Sequence, residues 1–250
     1  MKIDPKHPRA LSLQNREKLV WGVKNGITSP AGLIAFGRGE AFDYLLSERT
    51  RPFAKMAIRA AAAYLLLAKK PILSINGNSA ILCANEFIRI AKLLNCRIEV
   101  NLFHYSQSRV KKIESLLKSL DPERVLISKK EEKIILPEIA SKRAIVMREG
   151  IGNSDCVLVP LEDGDRCQAL VKMQKKVIAI DLNPLSRTAK YAQVTIVDNI
   201  CRCLPLLFRE IKDLKNKDKR FLEEIINSYD NNKIINEALR AICAKLDDTL

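Results

Sequence analysis

Between Pro71 and about Asp198 the chain repeats one pattern: a short apolar run, a polar turn, an amphipathic stretch, then another apolar run. The runs are Ile72 to Ile75, Ile98 to Leu102, Val125 to Ser128, Ala144 to Met147, Cys156 to Val159, Val177 to Ile180 and Val194 to Val197. Several are apolar at every position, as a strand must be when both faces of its sheet are covered. Helical stretches lie between most of them. In one, Ile81, Leu82, Phe87, Ile88, Ala91 and Leu94 form a stripe at helical spacing. Strand and helix in alternation predict an α/β fold, doubly wound around a mostly parallel sheet.

The flanks read as helical additions. In residues 1–70, Leu11, Leu13, Leu19, Val20 and Val23 suit a helix that stops near Gly26, and Ser29-Pro30 is a helix start, a polar cap followed by proline. Phe53 to Lys69 carries Ala60 to Ala63 at its centre, a smooth surface for close packing. After Leu214 the chain is charged outside, with Phe221, Ile225, Ile226, Ile234, Ile235, Leu239 and Ile242 inside. The 250 residues therefore read as a single α/β domain: helical 1–70, α/β core 71–213, helical tail 214–250.

Composition excludes several classes. The longest apolar stretch, around Ala60 to Ala68, is too short to cross a bilayer, and the N-terminus has no apolar signal region. Seven cysteines, an odd number without CxxC spacing, read as reduced buried thiols, which suits a cytoplasmic protein. Two histidines do not make a histidine-rich metal centre. The net charge of +14 is dispersed and aromatic residues are 5%, which argues against a nucleic-acid platform and for a solvated surface with a few arginines reserved for phosphate.

Candidate chemistry concentrates at strand ends. The segment Lys176 to Ile200 reads strand, loop, short helix, strand, loop, with Asp181 and Asn183 after one strand and Asp198 and Asn199 after the next. Ligands of open parallel sheets bind outside the carboxyl ends of the strands, so these loops make a nucleotide pocket, with Arg187 and Thr188 as phosphate donors. Ser74 to Ser79, SINGNS, is a turn before a helix whose N–H groups favour an anion; it is not the GxGxxG fingerprint, and it equally suits a plain turn capped by Ser79. Gly37-Arg38-Gly39-Glu40 reads either as a ligand approach for Arg38 or as a break between two helices, and Arg16 as a charged helix face. Glu162, Asp163 and Asp165 read as helix-capping acids or as ligands for Mg²⁺. No nucleophile signature is present, which fits chemistry by positioning and charge neutralisation.

At these residues the chain resembles the archaeal phosphopantothenate synthetases, the 4-phosphopantoate–β-alanine ligases. The matching pieces are HPRALSLQNREKLV, GLIAFGRGEAFDYLLSERT, SINGN, RIEVNLF, VLVPLEDGDRCQALVKMQKKVIAIDLNPLSRTA and TIVDNICRCLPLL, from His7 to about Leu207. The resemblance implies a Rossmann-like core, a homodimer, and an ATP-dependent ligase of coenzyme A biosynthesis that releases AMP and pyrophosphate. It implies nucleotide contacts at Arg16, Arg38, Asp181, Leu182, Asn183, Arg187, Thr188, Asn199 and Ile200; of these, Arg16, Arg38 and Arg187 are candidates for the catalytic cations, since a carboxylate attacking a phosphate needs positive charge to screen the like charges. ATP, with Mg²⁺, would be a substrate alongside 4-phosphopantoate and β-alanine. Asn76 and Asn78 are candidates for the phosphopantoate side, and no protein metal site is expected. Phe36, before GRGE, and Tyr105 depart from the family pattern, and bear on substrate choice. The alternatives are a ligase of the same fold with another acid substrate, and a basic nucleic-acid-binding module.

Overall fold

The computed structural model describes residues 4, 7, 9–129, 132–137, 139, 142–160 and 164–247. Three helices come first: α1 (Ala10–Lys24), α2 (Pro30–Leu45) and α3 (Pro52–Leu67). Strand β1 (Pro71–Ile75) leads into α4 (Gly77–Leu94), then β2 (Arg97–Val100) and α5 (Gln107–Leu120). Two short strands follow, β3 (Lys133–Ile135) and β4 (Ile145–Met147). The chain continues through β5 (Cys156–Pro160), α6 (Gly164–Lys172), β6 (Lys176–Ile180), α7 (Arg187–Tyr191) and β7 (Val194–Ile196). It ends in α8 (Ile200–Leu214), α9 (Lys219–Asn227) and α10 (Asn231–Asp247).

Five strands form one parallel sheet in the order β2-β1-β5-β6-β7. The chain builds outward from β1 in one direction, to β2, and later in the other, to β5, so the switch point lies between β1 and β5. Side chains alternate between two cores. Leu73, Ile75, Leu158, Ile178 and Ile180 face one, shared with α3, α4 and α8. Ile72, Val157, Val159, Val177 and Ala179 face the other, shared with α6 and the β3–β4 hairpin. Leu73, Leu158 and Ile178 have no exposed surface, each contributing about 2 kcal/mol of burial. Ala60 to Ala63 are all buried where α3 packs against α8 and α9.

Four expectations are corrected. Val125 to Ser128 is not a strand: Val125 makes one bridge to Ile98, Leu126 N donates to Ile98 O, and Ser128 N then turns to the Glu114 carboxylate at 2.8 Å. The run at Ala144 to Met147 is a strand, but it lies outside the parallel sheet, paired antiparallel with Lys133–Ile135, a segment too short and mixed to be read as a strand. Gly37-Arg38-Gly39-Glu40 does not break a helix; it lies within α2, whose buried face carries Phe36 and Asp43. The helix after SINGN is capped by Asn76, with Ser79 answering from the third helical position. Ser29 caps α2 as its Ser-Pro pair predicts.

The hairpin is held by side chains where no ladder reaches it. Glu99 on β2, 2% exposed, accepts Met147 N at 3.0 Å and Ile151 N at 2.8 Å. Asn101 donates to Ile145 O at 3.1 Å. Gly150 must lack a side chain, since a Cβ there would overlap Glu99 Oε2.

Candidate active site

The carboxyl ends of β1 and β2, beside the switch point, open into a cleft of about 360 Å³. The first turns of α2 and α4 both reach its wall, through Thr28, Ser29 and Gly32 and through Asn76, Gly77 and Asn78. Helices of 16 and 18 residues each carry a partial positive charge at that end, although the caps Ser29 and Asn76 already accept Gly32 N and Ser79 N. Arg38, Arg109 and Arg143 complete the lining, with His104 at the rim. Two helix N-termini and three guanidinium groups make this a site for an anion.

The walls are held by polar contacts. Asn76 Oδ1 accepts Ser79 N at 3.0 Å, Ser79 Oγ accepts Asn76 N at 2.9 Å, and Asn76 Nδ2 donates to Pro160 O at 3.0 Å. Asn78 accepts the Thr28 hydroxyl and donates to Gly32 O at 2.8 Å, tying the two helix starts together. A Cβ at Gly32 would come within 2.6 Å of Asn78 Oδ1, so glycine permits that approach. Arg109 donates to Ile27 O from Nε and Nη2 at 3.3 and 3.2 Å, and to His104 O from Nη1 at 3.0 Å. It bridges the loop before α2 and the loop after β2.

A second, much smaller recess, of about 20 Å³, lies where β6 and β7 end. Phe36 and Gly39 of α2 face Ile180, Leu182 and Ile200 across an apolar slot, with Asp198 and Asn199 at its edge. Asp181 organises the loop beside it, accepting Asn183 N at 2.9 Å and Ser186 Oγ at 2.6 Å. Burial raises its pKa, against the pull of those bonds and of the Arg38 charge. Asn183 accepts Leu185 N at 2.9 Å, and Ser186 caps α7. Helix α2 thus separates two recesses and lines both, Arg38 in the cleft and Phe36 with Gly39 in the slot.

The structure gathers Arg38, Asn76 and Asn78 at the cleft, and Leu182, Asn199 and Ile200 at the slot, with Asp181 and Asn183 forming the adjoining loop. Thr188 is buried in α7. Arg16 is elsewhere, in an open groove between α1 and α2, donating to Glu40 at 2.8 Å. Arg187 pairs with Asp165 and donates to Gln168 at 3.0 Å. Both would have to leave a carboxylate to reach a ligand in the slot. Glu162 and Asp163 lie outside the described residues. Phe36 is a slot wall, whereas the Tyr105 hydroxyl accepts from Lys133 Nζ at 3.2 Å, away from the cleft lining. Sequence reasoning missed Thr28, Ser29, His104, Arg109 and Arg143 as cleft residues. The Ser29-Pro30 helix start was the available signal, because a helix start is also an anion site; the arginines stand in no local motif.

An open parallel sheet with a cationic cleft beside its switch point and an apolar slot further along the same carboxyl edge defines a Rossmann-like α/β protein. Residues 53–245 match the model of the phosphopantothenate/pantothenate synthetase family. The chain is 48% identical over 246 residues to a 4-phosphopantoate–β-alanine ligase of Thermococcus onnurineus, covering 98% of this chain and 94% of the relative. Ligases of the same name from Thermococcus kodakarensis and Methanosarcina mazei are 46% and 48% identical, over 98% and 94% of this chain and 93% and 92% of their own lengths. The chain belongs to the phosphopantothenate/pantothenate synthetase family.

Proposed function

We propose that the chain joins 4-phosphopantoate to β-alanine with ATP, giving 4'-phosphopantothenate, AMP and pyrophosphate for coenzyme A biosynthesis. The observation that carries this reading is the shared wall: one helix, α2, lines an anion cleft and an apolar slot, so a phosphorylated acid and a nucleoside would meet across it. The names of the relatives, matched over nearly the whole chain, agree with it.

In this assignment Leu182, Asn199 and Ile200 take the adenosine, with Asp181 and Asn183 shaping the ribose end. Arg38 meets the triphosphate, joined by Arg187, Thr188 and Arg16 once the two arginines release their carboxylates. The phosphate of 4-phosphopantoate sits on the starts of α2 and α4, in a cleft whose shape Asn76 and Asn78 hold. The pantoate carboxylate attacks the α-phosphorus, forming an acyl adenylate as the bond to the β-phosphate oxygen breaks and pyrophosphate leaves. The β-alanine amine then attacks the acyl carbon and AMP departs. A carboxylate is already nucleophilic at neutral pH, so the first step needs cations to bring like charges together.

Mg²⁺ would screen the phosphate charge. It would be carried on the ATP phosphates, as Mg²⁺ usually keeps phosphate and water ligands. The enzyme would work in the cytoplasm as a homodimer; no described helix is long and apolar enough to cross a membrane.

The test is an end-point assay with ATP, Mg²⁺, 4-phosphopantoate and β-alanine, following AMP and ADP separately. AMP that requires both substrates supports the ligase and the adenylate route; ADP replaces the adenylate by an acyl phosphate; neither product rejects the substrate assignment. Arg38→Ala is expected to lower turnover at least about tenfold. An unchanged rate would remove Arg38 from the site.

A further inference from the structure

Beside the slot lies a cluster of ions that the reaction scheme does not use. Arg202, in the first turn of α8, donates from Nη1 to Asp43 Oδ2 at 3.0 Å and from Nη2 to Asp43 Oδ1 at 2.5 Å. The same guanidinium reaches Asp198 Oδ1 from Nε at 3.0 Å and from Nη2 at 2.7 Å. Asn199 joins both acids: its N–H donates to Asp198 Oδ1 at 2.7 Å and its Nδ2 to Asp43 Oδ2 at 3.1 Å. The second Asp198 oxygen accepts the Thr50 hydroxyl at 2.6 Å. The Asp43 and Asp198 side chains are 7% and 0% exposed, and that of Arg202 17%.

The members come from the two walls of the slot. Asp43 belongs to α2, the helix that supplies Phe36 and Gly39. Asp198 and Asn199 belong to the opposite loop, which runs into Ile200. Ser47 and Glu48, with φ of 68° and 49°, turn the chain after α2 so that Thr50 returns to the same acid. A conformation that disfavours side chains is kept at this turn, which needs compensation from the contacts it enables. Two carboxylates share one guanidinium, an arrangement that stability alone does not favour, since apolar replacements of buried ion clusters are often neutral or stabilising. What the cluster does supply is geometry: a planar fork allows one separation between its partners.

We infer that Asp43 and Arg202 are positioning residues for the nucleotide, holding α2 and the Asp198–Ile200 loop at the separation that sets the width of the slot. They act through Asn199 and Asp198, and neither Asp43 nor Arg202 is part of the slot lining. The inference rests on the reading that the slot takes the adenosine.

The test is steady-state kinetics on Asp43→Asn, Arg202→Lys and the double variant, with thermal melts alongside. Asp43→Asn leaves Arg202 balanced against Asp198, and Arg202→Lys keeps the charge while removing the fork, so each avoids stranding a buried charge. Each is expected to raise KM for ATP about tenfold, with KM for 4-phosphopantoate within twofold of the parent, and the double variant to be no worse than either single one, as for residues that act as a unit. A lowered melting temperature with KM for ATP unchanged would overturn the inference, as would equal rises in KM for both substrates. Leu182→Trp, which fills the slot, separates the two levels. If it raises KM for ATP while the Asp43 and Arg202 variants do not, the positioning role alone fails. If it leaves KM for ATP unchanged, the nucleotide is not in the slot and the assignment beneath the inference fails too.

Discussion

Glu99 should make the stability of this protein fall as pH rises through neutrality. Its carboxyl is buried on β2, and burial pushes its pKa from 4.5 up to about 7, against the pull of the Ile151 and Met147 N–H groups and the charges of Arg166 and Lys133. The folded chain therefore holds this proton more tightly than the unfolded chain. The contribution is fully present below about pH 4.5, declines between 4.5 and 7, and is lost above the folded-state value. A shift of this size corresponds to at most about 3–4 kcal/mol, at roughly 1.4 kcal/mol per pKa unit. Other buried acids, Asp181, Asp198 and Glu114, are also raised, so the quantity to measure is a difference. Urea unfolding of the parent and of Glu99→Gln at intervals from pH 5 to 8 isolates it. The parent curve should drop relative to the variant by about 2–3 kcal/mol across that range, because glutamine has no proton to lose. The consequence reaches the site: Glu99 anchors the hairpin whose approach carries Arg143 to the cleft. Parallel curves for the two proteins would refute the linkage.

Asn76→Ala removes the side-chain half of the capping box, the acceptor of Ser79 N, together with the bond to Pro160, while the backbone N–H of residue 76 still donates to Ser79 Oγ; it should cost about 1–2 kcal/mol in denaturant melts with a weakened KM for 4-phosphopantoate. Gly37→Ala should raise stability by about 0.5–1 kcal/mol, since Gly37 is inside α2 and an added methyl would meet nothing within 4 Å; a loss of activity with that gain would mean a ligand or second chain approaches this face. The thiols of Cys83 and Cys201 lie 3.6 Å apart, and Cys201, beside Asn199 and Ile200, has its pKa lowered, chiefly by the hydrogen bond from Cys83. Treatment with diamide, a two-electron thiol oxidant, should join them with loss of two hydrogens, read by mass spectrometry of the Cys83–Cys201 peptide pair; modification of the exposed Cys243 alone would contradict this.

Much of the frame is legible in the residues themselves. Continuous apolar runs at Leu73, Leu158 and Ile178 belong to strands covered on both faces, Ser29-Pro30 starts a helix, and the loops that begin with Asp181 and Asp198 sit at the carboxyl edge of the sheet. Periodicity reports local burial, and here local burial was enough to predict the parallel sheet and the place where loops converge. It could not separate Val125–Ser128 from a true strand, because an apolar run looks alike whether its backbone meets a ladder or the Glu114 side chain. It read GRGE as ambiguous, because two glycines weaken a helix that α2 keeps through its buried face. The shape of the site was set by contacts between residues far apart in the chain: Arg202 with Asp43 across 159 positions, Arg109 with Ile27 across 82, Asn78 with Gly32 across 46. Such pairs leave no local pattern, since the polar side chain of each is alone an ordinary surface-type group, and tertiary packing removes it from water and gives it a partner, a carboxylate or a backbone carbonyl. Residue order alone settles most of the helices, the five strands of the parallel sheet and which sheet edge bears the loops. Packing in three dimensions settles how wide the slot is, which arginines face the cleft, and which are held away by a carboxylate.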